Sequence, residues 1–160
     1  MISIRLICVG KLKEKFYADA AEEYIKRLSG YCRLDVEELP EARLSERPGR
    51  AEIDAALNRE AEAVERKIIK GSAVIALCIE GLETDSEGFG KILAKYASDG
   101  ISKLTFVIGG SVGIHDRIKE RADVRLSMSR MTFPHHLARV MLLEQLYRGF
   151  NITEGGKYHK

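Results

Sequence analysis

Three stretches of the chain carry residues whose types and spacing could do chemistry. The first is Gly109-Gly110-Ser111-Val112-Gly113, which follows an apolar run and precedes a short helical pattern. Bare backbone at the carboxyl end of a strand lets a ligand approach closely, and that end is where open α/β sheets bind. A plain tight turn is the alternative. The second is Ser129-Arg-Met-Thr-Phe-Pro-His135-His136. Adjacent histidines suggest a metal, but neighbours on a helix point to different faces and no further ligand stands at metal spacing, so we expect no metal. The third is the tail Lys157-Tyr158-His159-Lys160. An aromatic beside cations can stack on a base while the charges hold phosphate, whereas chain ends are more often frayed. Arg139 and Arg148 are candidates for phosphate contacts, although Glu144, four residues before Arg148, offers a plain helical ion pair.

The elements that must position these residues follow from periodicity. Ile2–Val9 reads as a strand, residues 15–29 as an amphipathic helix, and Leu34, Val36 and Leu39 as a second strand closed by Pro40. Glu41–Arg50, with both charge signs, Pro48 and Gly49, reads as a mobile loop. Ile53 to Ile68 marks a long helix. Ala73–Ile79 is apolar throughout, as in a parallel strand covered on both faces. Thr84-Asp-Ser-Glu87 has capping-box spacing ahead of the stripe Phe89, Ile92, Leu93, Tyr96. A buried strand Leu104–Ile108, a helix from Asp116 to Ala122, a strand from Val124 to Met128 and a last helix from His136 to Phe150 complete the order. Strands alternating with helices specify an α/β sandwich, drawn most simply as a doubly wound sheet. The last helix carries more apolar surface than one small sheet needs. It is either buried or shared with a second subunit.

A chain of 160 residues with 45% hydrophobic and 31% charged residues suits one folded domain. No apolar run approaches the roughly 20 residues that span a bilayer, and the start shows no signal peptide. Cys8, Cys32 and Cys78 fit neither a disulfide framework nor a zinc ribbon; reduced thiols lead us to expect a cytoplasmic protein. The net charge of +2 excludes an overtly polybasic binder, yet it is unevenly spread. Residues 1–33 come to +3, residues 34–65 to −6, residues 66–110 to +1 and residues 111–160 to +4. Basic ends around an acidic middle mean either solvated helix faces or a polyanion surface built from both ends.

Taken together, Val9-Gly-Lys-Leu-Lys-Glu-Lys-Phe-Tyr17, Glu23–Leu28, Val107-Ile-Gly-Gly-Ser-Val-Gly113, Leu126–His135, Arg139-Val140, Glu144–Arg148 and Tyr158-His159-Lys160 resemble the RlmH family. These are small SPOUT-class methyltransferases that modify a pseudouridine of large-subunit ribosomal RNA, and the similarity runs end to end. The resemblance implies an α/β knot over residues 1–160, a mostly parallel sheet flanked by helices, with the cofactor-binding knotted part at about 73–160. Periodicity did not show that threading, which is an exception to the rule against knots. The implied cofactor is S-adenosylmethionine, held by Leu77, Gly109, Met128, Ser129, Arg130, Met131, Thr132 and Phe133. The implied reaction is methylation of N3 of pseudouridine 1915 in 23S ribosomal RNA within the ribosome, by a homodimer with its site near the subunit interface. N3 must lose a proton, and His159 is the first candidate base, since imidazole titrates near about 6.5. Tyr158 would orient the base ring, and Arg148 and Arg139 would hold phosphate. A non-catalytic ribosome-binding or assembly factor with the same fold is the alternative and would lack cofactor affinity. A dinucleotide enzyme would need a glycine loop near the amino terminus, where Gly10 stands alone.

Overall fold

The structure is a computed structural model that describes residues 1–158. Strands and helices alternate as β1 (Ile2–Val9), α1 (Lys15–Leu28), β2 (Cys32–Leu39), α2 (Arg50–Lys67), β3 (Ala73–Glu83), α3 (Ser86–Ser98), β4 (Lys103–Ile108), α4 (Asp116–Arg121), β5 (Val124–Ser127) and α5 (His135–Thr153). The five strands form one sheet in the order β2-β1-β4-β3-β5, and every pairing is parallel.

The alternation along β1 explains the layers. Ile4, Leu6 and Cys8 pack with Leu28, Phe89, Leu93, Leu142 and Leu146, so α1, α3 and α5 cover one face. Ile7 and Val9 pack with Ala61, Val64 and Ile118, so α2 and α4 cover the other. A strand buried on both faces needs apolar residues at every position. That is why β4, central in the sheet, reads Leu104-Thr-Phe-Val-Ile108 with each side chain buried. Thr105, its one polar member, shares a hydrogen bond with Ser72 at 2.7 Å. Each large side chain buried here contributes about 1.5–3 kcal/mol.

Three local features differ from expectation, and a fourth takes one of the two readings left open for α5. First, β3 runs to Glu83, past the apolar run that marks its start. Its pairing with β5 slips, so that Leu77 and Leu82 both face Leu126. The slack bulges out at Cys78–Gly81. A Cβ on Gly81 would lie 2.7 Å from the Arg125 backbone, so only glycine allows this approach. Second, the cap of α3 is Asp85, whose carboxylate accepts from the Gly88 N–H at 2.7 Å; the expected Thr84–Glu87 box is displaced by one residue. Third, residues 41–50 are pinned rather than loose. The Ala42 N–H donates to Glu60 at 2.9 Å, and the Ser45 N–H and hydroxyl donate to Glu52. Fourth, α5 lies against both α1 and α3, which bury Leu142, Leu143, Leu146 and Phe150. Its broad apolar stripe is thus largely used within the chain.

Candidate functional site

The carboxyl ends of β3, β4 and β5 open into a cavity of about 680 Å³. Binding sites of open parallel sheets lie at this end, and small-molecule sites run from about 300 to 1,000 Å³. Three segments build it: the β3 bulge from Leu77 to Glu80, the glycine loop from Gly109 to Gly113, and the stretch from Met128 to His135. The bulge exists because β3 and β5 lose register, so the slip that breaks the ladder also makes the room. The glycine loop folds back on itself. A Cβ on Gly109 would stand 2.4 Å from the Gly113 carbonyl oxygen, while Gly113 takes a φ of +84°.

Of the residues expected to hold a cofactor, Leu77, Gly109, Met128, Ser129, Met131, Thr132 and Phe133 all line this cavity. Arg130 does not: its guanidinium reaches the Glu83 carboxylate at 3.0 Å on the outer surface. The loop is held by its own serines. Ser127 donates to the Ser129 carbonyl, and the Ser129 hydroxyl accepts from the Met131 N–H, both at 3.0 Å. Cys78 also lines the wall, where burial pushes its thiol up, away from thiolate reactivity. Burial takes the Cys8 thiol up to about 12. Among the described residues no group of histidine, cysteine and carboxylate side chains is arranged to hold a metal.

Charged and polar groups stand in the wall and behind it. His135 lines the cavity, and its Nε2 is buried without a hydrogen-bond partner. Burial, with smaller contributions from His136 and Arg139, lowers its pKa, so the ring is neutral near pH 7. Glu41 Oε2 stands 3.7 Å from that nitrogen, and Oε1 accepts from the Ser111 N–H at 2.7 Å. Burial alone would raise the Glu41 carboxyl, but its hydrogen bonds to Ser111, with smaller electrostatic help from the two imidazoles, hold it below the usual range. Glu80 faces the cavity and is held ionised by the Lys119 ammonium. Glu41 had only its place in a charged loop to mark it, since its partner is seventy residues away.

The two arginines have separate fates. Arg139, 4% exposed, donates to Glu38 at 2.8 Å and to the Gly10 carbonyl at 3.0 Å, tying α5 to the end of β2 and the turn after β1. The expectation that it holds phosphate is therefore corrected: it is a buried strut. Arg148 grips Glu144 through Nε and Nη2 at 2.9 and 2.6 Å and lies 4.7 Å over the Tyr158 ring. Tyr158 is docked rather than frayed. Its N–H donates to Asn151 at 2.9 Å, its hydroxyl donates to Glu144 at 3.3 Å, and its ring meets Tyr147 edge-on. Tyr158 and Arg148 are thus brought together; His159 lies outside the described residues. Within this cluster Arg148 sits thirteen residues along α5 from His135, about 20 Å at 1.5 Å per residue, and none of the cluster lines the cavity.

Comparison with known proteins gives three findings. A family model described as "Predicted SPOUT methyltransferase" matches residues 2–159. Two proteins named ribosomal RNA large subunit methyltransferase H are each 42% identical over 159 residues, covering 99% of this chain and all of the relative. They come from Streptococcus pyogenes serotype M5 (strain Manfredo) and Streptococcus uberis (strain ATCC BAA-854 / 0140J). The solved structure of a probable methylase family protein from Haemophilus influenzae Rd KW20 superposes with a TM-score of 0.54 at 13% identity. It covers 98% of this chain and 70% of that one, which is a likeness of fold.

Proposed function

The chain belongs to the SPOUT methyltransferase family, and on that premise we propose that it methylates large-subunit ribosomal RNA in the cytoplasm. The specific reaction would be transfer from S-adenosylmethionine to N3 of pseudouridine 1915 of 23S ribosomal RNA. The observation that carries the reading is the cavity at the carboxyl ends of β3 and β4, where seven of the eight expected cofactor residues converge. Its properties suit such a cofactor. Leu77, Ile108, Met128 and Phe133 offer an apolar slot for a flat heterocycle, with backbone groups of the glycine loop at its edge. The Glu80–Lys119 ion pair gives the slot a charged edge. When bound, the cofactor supplies a methyl group activated on a sulfonium.

The chain's own residues do the rest. Apolar walls exclude water, and the glycine loop and residues 128–133 fix orientation. His159 would accept the N3 proton, Tyr158 would orient the base ring and Arg148 would hold phosphate. Because Arg148, with Tyr158 against it, stands about 15 Å along α5 from the last cavity residue of its own chain, Ala138, the reading includes a homodimer in which the tail of one subunit serves its partner's cavity. It also includes the threading of residues from about 73 onward into a knot.

The test is incorporation of labelled methyl from S-adenosylmethionine into ribosomes that lack the modification, with mass spectrometry locating the product. Methyl at N3 of the pseudouridine is expected; no incorporation would refute the reading. His159→Ala should abolish transfer while calorimetry shows unchanged cofactor affinity, and near-normal turnover would remove His159 as the base.

A further inference from the structure

The segment Gly10–Tyr17 presents exposed groups that neither the cavity nor the tail uses. After β1 the chain turns at Gly10, with φ +101°, and enters α1 through Lys11, Lys13 and Lys15. All three lysines are exposed, and so is Phe16, at 66%. Lys15 is neutralised by Asp19 at 2.6 Å, but Lys11 and Lys13 make no ion pair within 4 Å among the described residues. Of the nearby acids, Glu38 is already held by Arg139 and the Leu12 N–H, which leaves the exposed Glu14. The rings continue inward. Phe16 lies 4.4 Å from Tyr17, Tyr17 lies 6.1 Å from His136, and His136 lies 4.0 Å from His135, which lines the cavity. A row of four rings therefore leads from solvent to the cavity wall.

An exposed aromatic beside unpaired ammonium groups has two natural partners. A second copy of the chain would bring like-charged lysines together around the ring. A single-stranded nucleic acid offers what both features lack: flat bases for the ring and phosphates for the lysines. We propose that Gly10–Tyr17 is a stacking platform for an unpaired segment of RNA. Phe16 takes a base on its exposed face, Lys11 and Lys13 hold flanking phosphates, and the ring row continues to the cavity. The inference rests on the ribosomal RNA reading and deepens it.

The chain has no tryptophan, so Phe16→Trp keeps a stacking ring and introduces a single indole reporter. A short oligouridylate should quench its emission, whereas heparin, a polyanion without bases, should not. Phe16→Ala should weaken oligouridylate binding roughly tenfold. Lys11→Ala with Lys13→Ala should flatten the slope of log affinity against log salt by about 1.4, and cofactor affinity should stay unchanged in every variant. Absence of quenching, or Phe16→Ala binding like the parent, overturns the platform. So does a shift of Phe16→Ala to a smaller oligomer by light scattering, which would assign Phe16 to a second copy. Methyl incorporation by the parent is scored separately. Transfer without the Phe16 effects sinks only the platform, and Phe16 effects without transfer sink only the ribosomal reading.

Discussion

Glu60 shows how a single carboxyl can set both a loop and a pH response. It is 5% exposed on α2, its Oε2 holds the Ala42 N–H, and its Oε1 has no hydrogen-bond partner. Burial, helped by nearby Glu41, raises its pKa above the ordinary 4.5. A carboxyl that binds its proton more tightly when folded favours folding only while protonated. That contribution is full below the ordinary value and is lost as pH climbs through the raised one. Glu60→Gln keeps an acceptor for Ala42 and removes the buried charge. Thermal melts should therefore find little difference between variant and parent near pH 4, and a variant advantage that widens toward pH 7. A gap that does not change with pH would mean that Glu60 does not titrate in this range. Arg139 is the counterpart on the other face. Its charge is tolerated because Glu38 and the Gly10 carbonyl engage it. The Arg139 guanidinium and the Leu12 N–H hold the Glu38 carboxyl below the usual range against its own burial.

At the scale of elements, the slipped pairing of β3 and β5 makes the cavity, and Gly81 permits the slip. A Cβ there would stand 2.7–2.8 Å from backbone atoms of Arg125 and Leu126, which cannot rotate away. Gly81→Ala should cost on the order of 1–3 kcal/mol, as other overpacking changes do. It should also weaken cofactor binding, because Leu77 to Glu80 would shift. Gly30→Ala is the control: nothing lies within 4 Å of its added methyl, and denaturant melts should find it near neutral. Equal effects at the two glycines would show that close approach is not what Gly81 provides. The same strand marks the limit of what periodicity reveals. The run from Ala73 to Ile79 is legible because both sheet faces demand apolar residues. The extension through Glu80, Gly81 and Glu83 is not, because it depends on the backbone of β5 arriving from forty residues further on. The loop at 41–50 reads as mobile for a related reason, since Glu52 and Glu60 hold it only once α2 has docked. In the same way, residues 128–135 and Gly109 carry a recognisable pattern, whereas Glu41 reaches Ser111 and His135 behind the wall only through tertiary contacts.

At the scale of the whole molecule, a formal charge of +2 and a distance along one helix carry the argument. The cavity takes in His135 and Ala138 at the start of α5, while Arg148, in contact with Glu144 and Tyr158, lies about 15 Å further along from Ala138. A helix packed between α1 and α3 does not bend to close that distance, which is why the proposed homodimer has the tail of one chain serve its partner's cavity. A two-fold pair also doubles the basic ends that one chain presents thinly. The consequence is quantitative. Gly109→Val disables the cavity because its side chain would collide with the Gly113 carbonyl, 2.4 Å from the position of the Cβ. His159→Ala disables the tail. Each variant alone should be inactive. Equal mixtures, unfolded and refolded together, form mixed dimers in about half of all pairs. Each mixed dimer regains one complete site of two, so about a quarter of the parent activity should return. If cavity and tail act within one chain, the mixture stays as inactive as its parts, because every chain then carries one lesion. Recovered methyl transfer thus measures directly whether the site is shared.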